Sequence, residues 1–388
     1  MNNSIIYLDN NATTPLDKRV LQAMLPYFID DFGNSASTHA FGLTAKKNVD
    51  TSKQKIATLI NSNVDELTFT SGATESINIA LKGLALHSNN TKKHIITVKT
   101  EHKAVLDTCK YLETVGFDID YLPVNNDGLI DLKQLEKNIR KDTLLVCVMW
   151  VNNETGVIQS IKEIGEIAHN AGSLFMTDAT QAVGKIPTDI LENSIDLMCF
   201  SAHKMYGPKG IGALFVNSGT VNKKNILPLQ HGGGHENGLR SGTLNVPAIV
   251  GFGKACEIAF DEMKTNATSI LSLRNSIEND LLNIKGSFVN GNKNQRLYNA
   301  LNICLPNFDA NVFIGKNKNI AVSNGSACTA ALVEASHVLT AMGLNEDESL
   351  GSLRISLGKM NKESELKYLN QKINIFLNIL EVKTDKTI

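Results

Sequence analysis

DLMCFSAHKMYGPKGIGALFV, residues Asp196 to Val216, is the stretch that decides the fold class. It holds two apolar runs, DLMCF and GALFV, on either side of a polar loop that contains glycine and proline. Neither run strictly alternates polar and apolar residues, which is typical of strands buried on both faces of a sheet. The stretch therefore predicts two strands of a buried sheet, joined by a loop rich in reactive side chains.

The same kind of apolar run recurs upstream, and helical patterns separate the runs. Strands are predicted at Glu66–Phe69, His94–Val98, Phe117–Leu122, Leu144–Val151 and Leu174–Asp178. Helices are predicted from Thr74, over Lys103–Val115, after Asp131 and over Ile161–Ala171. Strands that alternate with helices indicate βαβ crossovers, so we predict an α/β fold with a mainly parallel sheet.

The pattern changes near Asn245 and predicts a second, smaller α+β domain. Two long helices are expected over Pro247–Met263 and Ala267–Ile284. Short strands near Phe288, Leu301–Cys304, Ile320–Ser323 and Leu353–Ser356, and helices near Glu334–Met342 and Lys362–Ile379, complete it. We predict a large domain over residues 15–245, with residues 1–14 and 246–388 forming the small domain, and a frayed tail at the end.

Composition excludes several classes of function. The 388 residues carry 38 Lys and Arg against 39 Asp and Glu, a net charge of -1, which argues against a polyanion-binding coat. The six cysteines form no CxxC pair, so we predict reduced thiols, no disulfide framework and no metal site; they are Cys109, Cys147, Cys199, Cys256, Cys304 and Cys328. With no signal peptide or apolar run of about 20 residues, a cytoplasmic protein with no membrane partner is expected.

Two motifs suggest a site for a phosphorylated aldehyde. In SGATES (Ser71–Ser76), Gly72 and Ala73 let the backbone come close to a ligand. The helix predicted from Thr74 has free N–H groups that suit a phosphate, although an ordinary helix cap at Ser71 or Thr74 explains the motif equally well. In the SAHKMYGPKG loop, Lys204 lies beside Ser201 and His203. A lone loop lysine is usually a solvated charge, but these neighbours favour a lysine that binds an aldehyde.

Three further polar residues follow strand ends, where a parallel sheet gathers its ligand site. Asp178 ends the run LFMTD and could pair with a pyridinium nitrogen, or could simply cap a helix. His102 could stack on a ring, or could be an ordinary loop histidine. Asn153 could donate to a phenolic oxygen, or could be a turn residue.

Three motifs lie further along the chain. The glycine-rich loop His231–Thr243 suits an anion, or could be a loop without a ligand. Cys328 lies among small and polar residues in SNGSACTA, which favours a reactive thiol over an inert core cysteine. Arg354 lies in the apolar run LRISLG, where a substrate carboxylate would satisfy its guanidinium.

Taken together, these segments resemble the pyridoxal-phosphate-dependent cysteine desulfurases of the NifS/IscS type, within the class V aminotransferases. The matching segments span nearly the whole chain in family order; they are YLDNNATTP (Tyr7–Pro15), GNSASTH (Gly33–His39), SGATES, TEHKAVLDTC, VNNETG, DATQAVGK, SAHKMYGPKGIGAL, HGGGHENGLRSGT, SACTA and LRISLG. The resemblance implies the fold-type I architecture, with a mainly parallel seven-stranded sheet, and a homodimer.

The resemblance also implies a role for each matching residue. Lys204 would bind pyridoxal phosphate covalently, and His102 would stack on its ring and move protons. Asp178 would pair with the ring nitrogen, and Gln181 would touch the phenolic oxygen. The phosphate would be held by Thr74, Ser201, His203 and, from the second subunit, Thr243, and Ala73 would also bind the cofactor. Asn153 would hold the cofactor and substrate, Arg354 would bind the carboxylate of L-cysteine, and Cys328 would carry a persulfide.

The implied activity is removal of sulfur from L-cysteine to give L-alanine. A protein acceptor would take the sulfur for iron–sulfur cluster assembly or nucleic-acid thiolation, without direct contact between this chain and nucleic acid. The alternatives are a selenocysteine lyase or another class V aminotransferase-like enzyme, and a non-catalytic protein that keeps the fold. Cys328 argues against an aminotransferase, which needs no nucleophilic thiol, and the presence of Lys204, Asp178 and Cys328 argues against a degenerate copy.

Overall fold

The computed structural model describes residues 5–324 and 335–384, with side chains as far as residue 378. The strands of this part of the chain are short, two to five residues each. They are β1 (Ile6–Tyr7), β2 (Leu67–Thr70), β3 (His94–Val98), β4 (Asp118–Leu122), β5 (Thr143–Cys147), β6 (Leu174–Asp178), β7 (Leu197–Ser201), β8 (Gly212–Val216), β9 (Phe288–Val289), β10 (Ala300–Cys304), β11 (Ile320–Ala321) and β12 (Ser352–Ser356).

The helices differ widely in length, from single turns to 37 residues. They are α1 (Lys18–Met24), α2 (Pro26–Ile29), α3 (Ala40–Ile60), α4 (Ala73–Ala85), α5 (Lys103–Thr114), α6 (Leu132–Asn138), α7 (Ile161–Asn170), α8 (Val246–Leu282), α9 (Ala310–Lys316), α10 (His337–Ala341), α11 (Glu346–Leu350) and α12 (Glu363–Thr384). Single turns of 3-10 helix cover Val64–Glu66, Ala202–Lys204, Lys223–Asn225 and Glu236–Gly238.

A seven-stranded sheet forms the centre, in the order β2-β8-β7-β6-β5-β3-β4. Within it β8 runs antiparallel to both of its neighbours, and the other neighbouring pairs are parallel. The predicted α/β class and mainly parallel sheet are thereby confirmed. The carboxyl ends of β2, β3, β5, β6 and β7 all lie at one edge, which is where such sheets bind ligands.

The strands are apolar throughout because both faces of the sheet are covered. Ile95 and Leu145 face a cluster that includes side chains of α4 and α5. Their neighbours Ile96 and Val146 face the opposite cluster, which includes side chains of α3, α7 and α8. This two-sided burial explains why the runs do not alternate polar and apolar residues.

The C-terminal part has a separate core. Strands β12, β10 and β9 form an antiparallel sheet, and β1 pairs with β11 in parallel. Leu366, Leu369 and Ile373 of α12 pack into the apolar cluster of this part. The elements expected here are present, while the domain boundaries near residues 14 and 245 stay a prediction.

Two sequence predictions were wrong in their bounds. The two helices expected over Pro247–Met263 and Ala267–Ile284 are one continuous helix, α8, because no glycine or proline separates them. The strand expected over Leu144–Val151 ends at Cys147. Beyond it, the backbone of Val151 turns to pair with Ile158, which takes the chain out of the sheet.

Candidate active site

A cavity of about 530 Å³ opens where the carboxyl ends of the central strands meet. It is lined by ten of the residues selected from the sequence: Ala73, Thr74, His102, Asn153, Asp178, Gln181, Ser201, His203, Lys204 and Arg354. They come from distant parts of the chain. The central sheet brings nine of them together because each follows, or ends, a strand that reaches this edge, and Arg354 joins them from β12 in the C-terminal part.

The N-terminus of α4 forms one end of the cavity. Gly72 precedes the helix with φ of +155°, a conformation that a side chain would strain. A Cβ on Gly212 would lie 2.6 Å from the Gly72 Cα, so β8 packs directly against this turn. Ala73 and Thr74 line the cavity beside it, and the free N–H groups of the 13-residue helix favour an anion there.

Lys204 reaches into the cavity from the single helical turn that follows β7. Its Nζ donates to two backbone carbonyl oxygens, Asn11 O at 2.7 Å and Ala12 O at 2.6 Å. The neighbouring His203 ring contacts Thr13 Oγ1 through Nδ1 at 3.1 Å. Burial and the charge of Lys204 lower the pKa of His203 to about 4, so this imidazole is neutral at pH 7.

Asp178 lies at the carboxyl end of β6, next to a second buried acid. Its Oδ1 accepts a hydrogen bond from Thr180 N at 2.9 Å. Glu101 is completely buried behind it and accepts from the backbone N–H of Met149. Burial, and then the charge of Asp178, raise the pKa of Glu101 well above its ordinary value.

Gln181 is held at both ends of its amide. Its Nε2 donates to Asn11 O at 2.8 Å, the same oxygen that accepts from Lys204. Its Oε1 accepts from Lys185 Nζ at 2.5 Å. Lys185 is 6% exposed, and burial together with the charges of Lys204 and Arg354 lowers its pKa to about 7.

His102 caps helix α5 and faces the cavity. Its Nδ1 accepts a hydrogen bond from Ala104 N at 3.1 Å. Because Nδ1 is the acceptor, Nε2 carries the proton of the neutral ring. His102 therefore offers an N–H donor at Nε2.

Arg354 is almost fully buried, at 1% exposure. Its Nη2 lies 2.7 Å from Asp9 Oδ1, and its Nη1 donates to Asn153 O at 3.2 Å. Its Nε makes no hydrogen bond to any residue that the structure describes. The guanidinium is thus fixed in place from behind by Asp9, and it still lines the cavity.

The chain as a whole matches a known family. Residues 6–369 match the model of the aminotransferase class-V family. The chain belongs to the aminotransferase class-V family. It is 48% identical over 364 residues to a protein of Neisseria gonorrhoeae named cysteine desulfurase IscS, covering 94% of this chain and 90% of the relative. It is also 48% identical over 366 residues to the Escherichia coli K12 protein of the same name, with the same shares covered.

Solved structures agree with this membership. A NifS-like protein superposes with a TM-score of 0.90 at 39% identity, covering 97% of this chain and all of the other. A structure described as SspA in complex with cysteine superposes with a TM-score of 0.81 at 38% identity, covering 91% and 99%. The predicted fold type is thereby confirmed for this member of the aminotransferase class-V family.

Class-V aminotransferases are pyridoxal-phosphate enzymes, and the cavity of this member suits that cofactor. It has an anion site at the start of α4, an amine at Lys204 and a carboxylate at Asp178, which match a phosphate, an aldehyde and a ring nitrogen. Its volume exceeds the lower limit of about 300 Å³ for small-molecule sites. The predicted cofactor is therefore consistent with the donor set of the site.

Two of the selected residues are not part of this cavity as described. Thr243 is exposed and does not line it. Its loop is tied to the rim, because Arg240 Nε donates to Glu75 Oε1 of α4 at 2.9 Å. Cys328 falls in residues 325–334, outside the described part of the chain.

The described residues were also compared with what a metal site and a membrane-spanning helix require. Over residues 5–324 and 335–384, His, Cys, Asp and Glu side chains nowhere cluster in threes to hold a metal ion. In the same ranges, no helix combines the length and the apolar character that crossing a bilayer requires.

Several lining residues escaped the sequence analysis. Asn11 and Ala12 supply backbone carbonyls to Lys204, and Lys209 and Glu75 lie at the rim. The sequence around Asn11 and Ala12 could have indicated a loop near the site, because the segment DNNATTP is made of polar and small residues and fits neither a helix nor a strand. Backbone carbonyls carry no side-chain signature, which is why their role was not predicted.

Proposed function

We propose that this enzyme is a cysteine desulfurase, which removes sulfur from L-cysteine, releases L-alanine and carries the sulfur as a persulfide on Cys328. One observation carries the proposal: a single cavity joins the amine of Lys204, the carboxylate of Asp178 and the guanidinium of Arg354. The 48% identity to proteins named cysteine desulfurase supports the same reaction.

The cofactor-binding roles follow from the donor set. Lys204 would bind the aldehyde of pyridoxal phosphate, and Asp178 would keep a proton on the ring nitrogen. When bound, the cofactor supplies an electron-withdrawing ring that makes the Cα proton of the amino acid acidic. The phosphate would be held by the start of α4 and by the loop after β7, at Ala73, Thr74, Ser201 and His203. Thr243 would reach it from the second subunit of a homodimer.

The substrate-binding roles fall to residues on the opposite side of the cavity. Arg354 binds the carboxylate of L-cysteine, and its link to Asp9 fixes the direction of the guanidinium. Asn153 lies beside Arg354 and would contact both the bound substrate and the cofactor. His102 would stack on the cofactor ring and help to move protons to or from the substrate.

Cys328 completes the reaction as the nucleophile. Its thiolate attacks the sulfur of L-cysteine, so an S–S bond forms while the Cβ–S bond breaks and its electron pair stays with carbon. Protonation of that carbon leaves alanine. The five other thiols are buried, and burial raises the pKa of Cys109 to about 12 and that of Cys304 to about 11, so they are poor nucleophiles.

The test is to incubate the holoenzyme with L-cysteine and a reductant and to measure alanine and sulfide. Equal amounts of the two are expected. In the wild type, borohydride should fix the cofactor permanently to the protein by reducing its bond to Lys204, and Lys204→Ala should lose this attachment. Cys328→Ser should bind the cofactor normally but release no sulfide above background. Cys304→Ser is the matched control and should retain turnover. Sulfide release by Cys328→Ser at the wild-type rate would contradict the assignment of the nucleophile.

The same assay separates the alternatives within the family. Formation of glutamate from 2-oxoglutarate would indicate an aminotransferase. Turnover of L-selenocysteine with none of L-cysteine would indicate a selenocysteine lyase. A chain that binds no cofactor would be a non-catalytic member.

The acceptor of the sulfur is a second protein, in iron–sulfur cluster assembly or in nucleic-acid thiolation. The balanced charge of this chain argues against direct binding of nucleic acid, and a cytoplasmic location suits a mechanism that needs a free thiol. Radiolabelled L-cysteine added to a cell extract, followed by recovery of the labelled persulfide carriers, would identify the acceptor.

A further inference from the structure

Lys185 is a buried ammonium group with no part in the reaction as described so far. It lies on the far side of Gln181 from the cavity, on the turn after β6, and is 6% exposed. Among the residues that the structure describes, it forms no ion pair, and its Nζ donates to the Gln181 Oε1 at 2.5 Å. A buried charge without a carboxylate partner destabilises a fold, so a functional reason for its presence is expected.

The contacts of Gln181 show what the ammonium does. In its charged form Lys185 can only donate hydrogen bonds, which favours the amide orientation with the oxygen toward Lys185. The Asn11 carbonyl can only accept, so the amide must turn its nitrogen toward Asn11, at 2.8 Å. Both neighbours therefore select the same one of the two possible amide orientations. The second N–H of Nε2 is left for the cavity that Gln181 lines.

The same contacts join Lys185 to the cofactor lysine. Asn11 O accepts from Gln181 Nε2 and from Lys204 Nζ, at 2.8 and 2.7 Å. Asn11 is itself fixed, because its N–H donates to Ser356 Oγ at 2.9 Å and its Oδ1 accepts from Asn299 at 3.2 Å. A shift of the amide at Gln181 is thus constrained at both ends.

We propose that Lys185 is a positioning residue that holds the Gln181 amide with its N–H toward the phenolic oxygen of the cofactor. This inference rests on the proposed function for the role of Gln181. Without Lys185 the amide oxygen loses this partner and only the Asn11 carbonyl holds the amide, so the Gln181 side chain can turn its remaining N–H away from the phenolic oxygen. The hydrogen bond would then be lost although Gln181 itself is unchanged.

The test uses the holoenzyme variants Lys185→Met, Gln181→Leu and the double variant. Three quantities are compared: the visible absorption maximum of the bound cofactor, kcat/KM for L-cysteine and the unfolding temperature. Lys185→Met should shift the absorption maximum in the same direction as Gln181→Leu and lower kcat/KM about tenfold, the effect of one lost hydrogen bond. In the Gln181→Leu background the same change should add less than about twofold.

Two controls keep the result specific. Lys162→Met removes an exposed lysine of α7 and should leave the absorption maximum and kcat/KM at wild-type values. The unfolding temperature of Lys185→Met should not fall, because the substitution removes a buried charge. If Lys185→Met fails to fold, Lys185→Leu replaces it in the same comparison.

Several outcomes would overturn the proposal. One is a loss of kcat/KM of the same size in both backgrounds, and another is a wild-type absorption maximum in Lys185→Met. Failure of the proposed function looks different, since the wild-type holoenzyme would then bind the cofactor without releasing sulfide from L-cysteine. In that case the absorption comparison still tests whether Lys185 acts through Gln181.

Discussion

Glu154 is a carboxyl group buried where two distant segments meet. It follows Asn153 in the loop after β5, and Ser336 Oγ donates a hydrogen bond to its Oε2. Ser336 caps helix α10 by accepting from Val338 N and Leu339 N, both at 3.2 Å. Residues 325–334, which include Cys328, immediately precede this cap by sequence. Glu154 therefore joins the substrate side of the cavity to the N-terminal cap of α10.

The pH dependence of stability should reveal this carboxyl. Burial raises the pKa of Glu154 from 4.5 to about 7, so the unfolded chain ionises first as the pH rises. The stabilising contribution of the protonated Glu154 carboxyl to the free energy of unfolding is fully present below pH 4.5 and is lost as the pH rises through 7. From pH 4.5 to above 7, this group should lower the free energy of unfolding by roughly 3 kcal/mol at most.

Glu154→Gln keeps an acceptor for Ser336 and should remove this part of the pH dependence. Urea unfolding between pH 5 and 7.5 measures it, and the exposed Glu192→Gln serves as the matched control. A slope in Glu154→Gln equal to that of the wild type would show that the carboxyl does not titrate in this range.

Among the elements, α8 has the largest influence on how the two parts of the chain are connected. It runs for 37 residues from Val246 to Leu282 and packs along α3 in its first half. Its buried positions in that half include Ile249, Phe252 and Cys256, which join the central core. Farther along, Ile270 and Ile277 join the core of the C-terminal part. One uninterrupted helix therefore contributes to both cores.

The continuity of α8 can be tested by proline. Lys264 is exposed and lies in the middle of the helix, in the gap that was predicted between two separate helices. Lys264→Pro removes a hydrogen bond and clashes with the preceding turn, so it should lower the free energy of unfolding by about 3 kcal/mol. Lys264→Ala should leave that free energy within about 0.5 kcal/mol of the wild-type value. A harmless proline would mean that the helix is interrupted there.

The sequence was informative about strands and strand-end residues because both follow local rules. Asp178, Asn153 and His102 each end or follow an apolar run, and a parallel sheet gathers such positions without further information. Helix α3 was not predicted, although its buried residues Ala45, Val49 and Ile56 have the spacing of one helix face. Contacts across the chain, such as that of Asp9 with Arg354, depend on tertiary packing, which no local pattern reports.

Across the whole molecule, the N-terminal segment connects the two cores through the active site. Ile6 pairs with Ile320 in the C-terminal part, and three residues later Asp9 forms the ion pair with Arg354. Asn11 then supplies its carbonyl to Lys204. The cavity is therefore lined by groups from both parts of the chain, and a bound molecule contacts both.

Cofactor binding should accordingly stabilise the molecule as one unit. At about 100 times its dissociation constant, a ligand raises the free energy of unfolding by about 2.7 kcal/mol. Pyridoxal phosphate added to the apoenzyme should raise the unfolding temperature and leave a single transition in calorimetry. Pyridoxal, which lacks the phosphate, should give a smaller increase. Two transitions, of which the cofactor moves only one, would show that the parts unfold independently.

The burial of five thiols has a practical consequence for following the enzyme at work. Cys109, Cys147, Cys199 and Cys256 are 0% exposed, and Cys304 is 5% exposed, so a bulky thiol reagent reacts slowly with each in the folded protein. With Cys328 as the proposed nucleophile, fast reaction in a native thiol titration would report on that thiol with little background from the other five. Mass analysis of the fast-reacting fraction counts the sulfur atoms that each protein molecule holds at a given moment, without isotope labelling.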